Sequence, residues 1–372
     1  MSRVDELLDK FVDISQHPHK AMLDYKARTG KDAVGVFPVY APEEIVYAAG
    51  YLPVGMWGSK GSINKASQSL PSFACSIMQI IMENEMNGVY DDLKAVLVSS
   101  PCDTLKAMGQ KYYGKCPAIQ FVHSQNRDFK GSDDYMTEEY KIVCQKLEEV
   151  LGVKIDPEKI NEAIEIYNEN RAVTRMFTEV AALYPQIFTP KKRHAVLKAR
   201  TFMDKAENTV LLKELIEEVL KTPVVPFKGK KVVLTGIMAE PDEFLDILEE
   251  YNVAVVADDL AQESRQFRTD VPAGKDPFRR LAVQWRNVTA CSLATDRRKP
   301  RGQFVAELSK KYAADAVIFC QMKFCDPEEF DYPMMMDEFK RQSIPCMKVE
   351  IDLQAVAAEQ LRTRVQSFVE ML

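Results

Sequence analysis

The sequence predicts an α/β protein of two doubly wound, Rossmann-like parallel-sheet domains with a helical segment between them. Three observations lead there. Strand-sized apolar runs alternate with helical patterns at both ends of the chain, and the strand signal vanishes in the middle. The length, 372 residues, exceeds what one hydrophobic core usually organises. Continuous apolar strands separated by helices indicate a parallel sheet covered on both faces. The expected division is 1–132, 133–226 and 227–372.

The chain opens on an amphipathic helix (MSRVDELLDKFVDIS) with acidic residues in its first turn, where the helix dipole favours them. AVGVFPVY at 33–40 reads as the first strand, and Pro42 suits the first turn of a helix reaching about Ala49. LPVGMWG at 52–58 is the second strand, with a helix expected from Pro71. AVLVSS at 95–100 is the third, with a helix from Asp103, and AIQFVHS at 118–124 is the fourth. From 133 to 220 apolar residues recur every three or four positions, as in EEYKIVCQKLEEVLG. That spacing predicts helices, whose Glu- and Lys-rich faces are expected to be solvated. Alternation then returns with strands at 232–238, 253–259, 316–322 and 345–352. Helices are expected after Pro241 and Pro277, near Gly302, after Pro327 and at the end of the chain.

Charged residues make up 28% and the hydrophobic set 46%, which excludes a disordered or fibrous chain. The net charge of -6 is spread along the sequence, and no basic stripe offers nucleic acid a surface. The longest apolar runs fall far below the ~20 residues that cross a bilayer. With no apolar leader in the first residues, a cytoplasmic, non-membrane protein is expected. Eight cysteines are too few for a disulfide scaffold in such a chain, so they are free thiols or metal ligands.

Three of the eight stand where strands meet helices. Cys102 follows AVLVSS and precedes a helix for which Asp103 is the expected cap. Cys325 follows AVIFCQM and precedes DPEE, where Asp326 can cap and Pro327 fits the first helical position. Cys75 lies four residues after Pro71, in or just after a first helical turn. Backbone N–H groups and the positive end of the helix dipole favour thiolate at such places, and metals bind thiolate. Three thiolates leave one iron of a cubane, or one position on zinc, open; residue logic alone leaves iron–sulfur, zinc and no metal all standing. Cys116, Cys144, Cys291, Cys320 and Cys346 read as small buried residues.

Other polar features are weaker. Asp258, Asp259, Arg265 and Arg268 in ADDLAQESRQFRTD either bind a charged group in a cleft or order a long loop as an Asp–Arg network. Glu43 reads as helix-start chemistry, while Glu44 is placed to face the cleft. His123, at a strand end, has a capping or surface role as its expected part. No phosphate-binding glycine motif, nucleophile elbow or H-E-x-x-H helix occurs.

FACSIMQ around Cys75, PCDTL around Cys102, DDLAQESRQFRTD, MKFCDPEEFDYP around Cys325 and FPVYAPEEIVYAAGYLPVGMWG from Phe37 closely resemble one family. It is that of the β subunits of the 2-hydroxyacyl-CoA dehydratases of amino-acid-fermenting anaerobes. The resemblance implies a heterodimer of α and β subunits, each with one 4Fe-4S cluster held by three cysteines, on this chain Cys75, Cys102 and Cys325 plus a non-cysteine ligand. It implies a separate ATP-dependent iron–sulfur activator that supplies one low-potential electron. It also implies elimination of water from an (R)-2-hydroxyacyl-CoA, lactoyl-CoA expected, to a 2-enoyl-CoA through a ketyl radical. Substrate is then expected mainly at the α subunit, with this chain's cluster as electron relay; Glu44, Asp258 and Arg265 are weak candidates for contact with it. The alternative is a subunit of an ATP-dependent acyl-CoA reductase of the benzoyl-CoA reductase type, in which the electron stays in the product.

Overall fold

In the computed structural model, which describes residues 2–112, 114–354 and 358–372, the chain builds two four-stranded, all-parallel sheets. The first holds β1 (Ala33–Val36), β2 (Leu52–Gly55), β3 (Leu93–Ser99) and β4 (Ala118–Phe121) in the order β2-β1-β3-β4. The second holds β5 (Lys230–Gly236), β6 (Val253–Leu260), β7 (Ala316–Met322) and β8 (Cys346–Ile351) in the order β6-β5-β7-β8. The two orders are the same. Each sheet starts on an inner strand, steps to one edge and crosses back to the other side, so each has a switch point where ligands gather beyond the strand ends.

Helices α1 (Arg3–Gln16), α2 (Pro18–Thr29), α3 (Glu43–Ala48), α4 (Ser76–Met86) and α5 (Asp103–Lys111) belong to the first part. The middle holds α6 (Ser132–Leu151), α7 (Pro157–Leu183), α8 (Pro190–Ala199) and α9 (Lys205–Leu220). The last part holds α10 (Asp242–Glu250), α11 (Pro277–Asn287), α12 (Arg301–Lys311), α13 (Asp326–Arg341) and α14 (Ala358–Met371). Several starts follow from local chemistry. Asp156, Thr189 and Asp276 cap α7, α8 and α11 with their side chains, each ahead of a proline whose missing N–H costs nothing in the first turn.

The strands are apolar because both faces are covered; every residue of β6 and of β7 is buried. The two sheets do not stand apart. One apolar cluster runs from Val34 and Leu97 in the first to Leu234 and Ile318 in the second. A tie across it is the Ser76 hydroxyl, which accepts from the Leu353 backbone N–H at 3.0 Å. A second cluster joins Leu7, Leu8 and Phe11 of α1 to Phe177 and Leu215 of α7 and α9. Each such fully buried side chain contributes about 1.5–3 kcal/mol by leaving water.

Some expectations are corrected. β1 ends at Val36 and β2 at Gly55, because these residues are the last pair of their ladder; of the expected strands 33–40 and 52–58 only the first four residues of each are strand. The helix expected from Pro71 begins at Ser76, since Pro71 to Ala74 closes a turn first, with Ala74 N–H on Pro71 O at 3.0 Å. The faces of α7 to α9 are not all solvated. Arg171, Arg193, His194 and Lys205 are buried there and pair with carboxylates in the two sheet-bearing parts.

Candidate metal centre

All three singled-out cysteines are N-caps. Cys75 caps α4, Cys102 caps α5 and Cys325 caps α13. The expected caps Asp103 and Asp326 are instead the first helical residues. Cys102 is extended (φ -135°, ψ 166°), and its Sγ accepts from the Leu105 backbone N–H at 3.5 Å. Cys325 follows Phe324, whose left-handed backbone (φ 62°) turns the chain out of β7 into α13. Glu328 and Glu329 both donate their N–H groups to Cys325 O at 3.0 Å. Cys102 and Cys325 occupy equivalent places in the two halves: each lies three residues beyond the third strand of its sheet and precedes an aspartate.

The three share one neighbourhood. A charge on Cys102 acts on Cys75, charges on Cys75 and Cys102 act on Cys325, and Asp326 acts on Cys102. All three pack against the large apolar cluster and keep some exposure. Burial pushes the Cys75 thiol up to about 12 against the lowering pull of the Ile77 and Met78 N–H groups. It also raises Cys102 and carries Cys325 well above the usual thiol range, with Glu328 adding to the rise at Cys325. The backbone N–H groups of the helix starts pull toward thiolate, as expected, while burial pulls toward thiol, so binding of a metal is coupled to loss of the thiol protons. Among the described residues no three His, Cys, Asp or Glu side chains are grouped around a single ion. A cubane fits such a donor set better than one zinc, because it spreads its cysteines over separate irons.

Beside this region a polar cavity of about 60 Å³, room for a few waters, opens between the halves. Glu44 and Arg265 both line it. Glu44 is buried and paired with Arg171, and Glu43, expected to be ordinary helix-start chemistry, pairs with the fully buried Lys205 at 3.0 Å. The Arg171 Nε, on a residue that lines the cavity, has no hydrogen-bond partner among the described residues.

Arg265 belongs to a buried network rather than standing free. Asp259 takes Arg265 (2.9 Å), Arg301 (2.8 Å) and Arg268 (2.7 Å), and Glu328 takes Arg301 (2.8 Å) and Arg265 (3.3 Å). Asp258 is held separately by Arg193 and by the Leu260 and Ser264 N–H groups, and does not line the cavity. Of the two readings open for this motif, an Asp–Arg network is what the geometry displays. His123 is buried, not on the surface. Its ring packs on Trp285 at 4.2 Å, and burial lowers it to about 3, so it is neutral.

Sequence reasoning missed two features. Cys291, read as incidental, accepts from the Tyr40 hydroxyl at 2.9 Å and lies 3.6 Å from Arg265 Nη1. Arg193 and His194 bind Glu263 at 2.6 and 2.7 Å. These pairings join residues tens to hundreds of positions apart, and no local pattern announces them.

Residues 38–372 match the family described as 2-hydroxyglutaryl-CoA dehydratase, D-component. The chain is 52% identical to the lactoyl-CoA dehydratase subunit beta of Anaerotignum propionicum, with the whole of both chains covered. It is 42% identical to the (R)-phenyllactyl-CoA dehydratase beta subunit of Clostridium sporogenes, again over the whole of both. The (R)-2-hydroxyglutaryl-CoA dehydratase subunit beta of Acidaminococcus fermentans is 34% identical over 99% of this chain and all of its own.

Proposed function

The chain belongs to the 2-hydroxyglutaryl-CoA dehydratase D-component family, and from that premise we propose that it is the β subunit of a 2-hydroxyacyl-CoA dehydratase acting on lactoyl-CoA. It is a hydro-lyase component and works with a partner α subunit. The observation that carries the metal part of this reading is the placement of Cys75, Cys102 and Cys325 as three helix caps within reach of one another's charge. These residues would hold a 4Fe-4S cluster, with a non-cysteine ligand at the fourth position.

The reaction removes a hydrogen β to a thioester carbonyl, which is barely acidic, so a protein base alone faces too high a barrier. One-electron reduction of the thioester to a ketyl lets the hydroxyl leave and acidifies that hydrogen, and the electron returns after deprotonation. When bound, the cluster supplies a low-potential place to keep that electron. This chain's residues supply the setting. The helix starts present backbone N–H groups around the sulfurs, the apolar cluster covers one side of them, and the Asp259 network fixes the first turn of α13. The electron enters from an ATP-dependent iron–sulfur activator, and substrate sits mainly on the α partner.

The test is turnover by the purified α and β chains with such an activator under strict anaerobiosis. Lactoyl-CoA is expected to be dehydrated many times for each electron supplied. Consumption of reductant in proportion to product, with no 2-enoyl-CoA formed, would instead establish an acyl-CoA reductase.

A further inference from the structure

Glu328 lies in the first turn of α13, three residues past Cys325, and is fully buried. Its backbone N–H bonds to Cys325 O, while its carboxylate points away from solvent into the second sheet's strand ends. Oε1 accepts from the Ser292 hydroxyl at 2.6 Å and lies 3.3 Å from Arg265 Nη1; Oε2 accepts from Arg301 Nη2 at 2.8 Å. Two guanidinium groups, those of Arg301 and Arg265, face the carboxylate and compensate its buried charge.

The repeated strand order gives this placement a meaning. α4, capped by Cys75, leads into β3 in the first half, and α12, which starts at Arg301, leads into β7 in the second. Where the first half offers a second sulfur, the second half offers an arginine that grips Glu328. We propose that Glu328 is a positioning residue whose fixed negative charge, metered by Ser292 and Arg301, lowers the electron affinity of the metal group on Cys325. The inference rests on the cluster reading above. Within a low-dielectric region a carboxylate behind a ligand disfavours adding an electron, and neighbouring hydrogen bonds tune how much.

The experiment is a spectroscopic redox titration of the anaerobic αβ complex. Glu328→Gln keeps the volume and an acceptor for Ser292 but removes the charge. Its equilibrium constant for one-electron reduction is expected to rise by about tenfold or more, the scale of one unit charge at an effective dielectric of about 20. Glu328→Asp keeps the charge and is expected near wild type. A wild-type complex without iron overturns the cluster reading itself. An iron-loaded Glu328→Gln complex with an unchanged midpoint, or a Glu328→Asp complex shifted equally far, overturns this inference alone. Should Glu328→Gln lose its iron or fail to fold, Ser292→Ala decides. Losing the hydroxyl leaves the carboxylate less compensated, so the midpoint must fall, and an unmoved midpoint refutes the proposal.

Discussion

Replacing Asp259 by asparagine is expected to cost far more stability than removing any surface carboxylate. Its Oδ1 accepts from Arg265 Nε (3.1 Å) and Arg268 Nη1 (2.7 Å). Its Oδ2 accepts from Arg265 Nη2 (2.9 Å), Arg301 Nε (2.8 Å) and the Thr235 hydroxyl (3.0 Å). The wild-type network balances Arg265, Arg268 and Arg301 against Asp259, Glu328 and Asp331. Asp259→Asn leaves three buried or nearly buried cations facing two carboxylates, and its amide donates where Arg301 or Arg265 already donates. Breaking a buried pair in this way costs about 3–5 kcal/mol, or roughly a hundred- to several-thousand-fold in the unfolding constant. Urea unfolding of the metal-free chain, followed by circular dichroism with the slope held common, measures it. Glu138→Gln, which removes an exposed partner of Lys141, serves as control and is expected to stay within about 1 kcal/mol of wild type. The Asp259→Asn deficit should persist in high salt, since buried charges are poorly screened. An Asp259→Asn chain within about 0.5 kcal/mol of wild type would refute the claim that this network holds β6 to α13.

Two further outcomes are expected. Burial opposes protonation of His194, but Glu240 and Glu263 win and raise it to about 9. Because its folded value lies above the ordinary 6.5, its stabilising contribution is complete below about pH 6.5 and fades as pH rises through about 9. That contribution is worth up to about 3 kcal/mol, and His194→Gln should flatten this part of the stability-against-pH curve; an unchanged slope would contradict the assignment. Gly236, at φ 142°, ends β5 so close to β7 that a Cβ would stand 2.1 Å from Cys320 O. Gly236→Ala should cost roughly 2–5 kcal/mol through strain and overpacking, and a wild-type urea midpoint would show that the strand ends separate freely.

Much of the fold was legible because parallel strands covered on both faces leave continuous apolar runs, as in AVLVSS and AVIFCQM. Strand ends were less so. Nothing in FPVY marks Val36 as the end of β1; that follows from β2, which supplies only four partners. The helix starts at Cys75, Cys102 and Cys325 were placed within a few residues, but the caps were misassigned. Cysteine is outside the usual capping set, and Pro71 and the two aspartates carried the stronger local signals. The burial of Lys205, Arg171 and Arg193 could not be read at all. Their partners Glu43, Glu44 and Asp258 lie elsewhere in the chain, and a lysine or arginine in a helix otherwise reads as solvent-facing. That burial is what turned the helical segment from a solvated insert into a wall of the cavity between the halves.

The proposed function places one iron–sulfur cluster of a dehydratase β subunit on Cys75, Cys102 and Cys325. Iron and acid-labile sulfide, counted per αβ pair in the anaerobically purified complex, test it most directly. Wild type and Cys320→Ala, whose cysteine lies inside β7, are expected to carry about four more of each per αβ pair than Cys75→Ala, Cys102→Ala or Cys325→Ala. An active complex free of iron, or an iron content unchanged in all three single variants, would overturn that assignment.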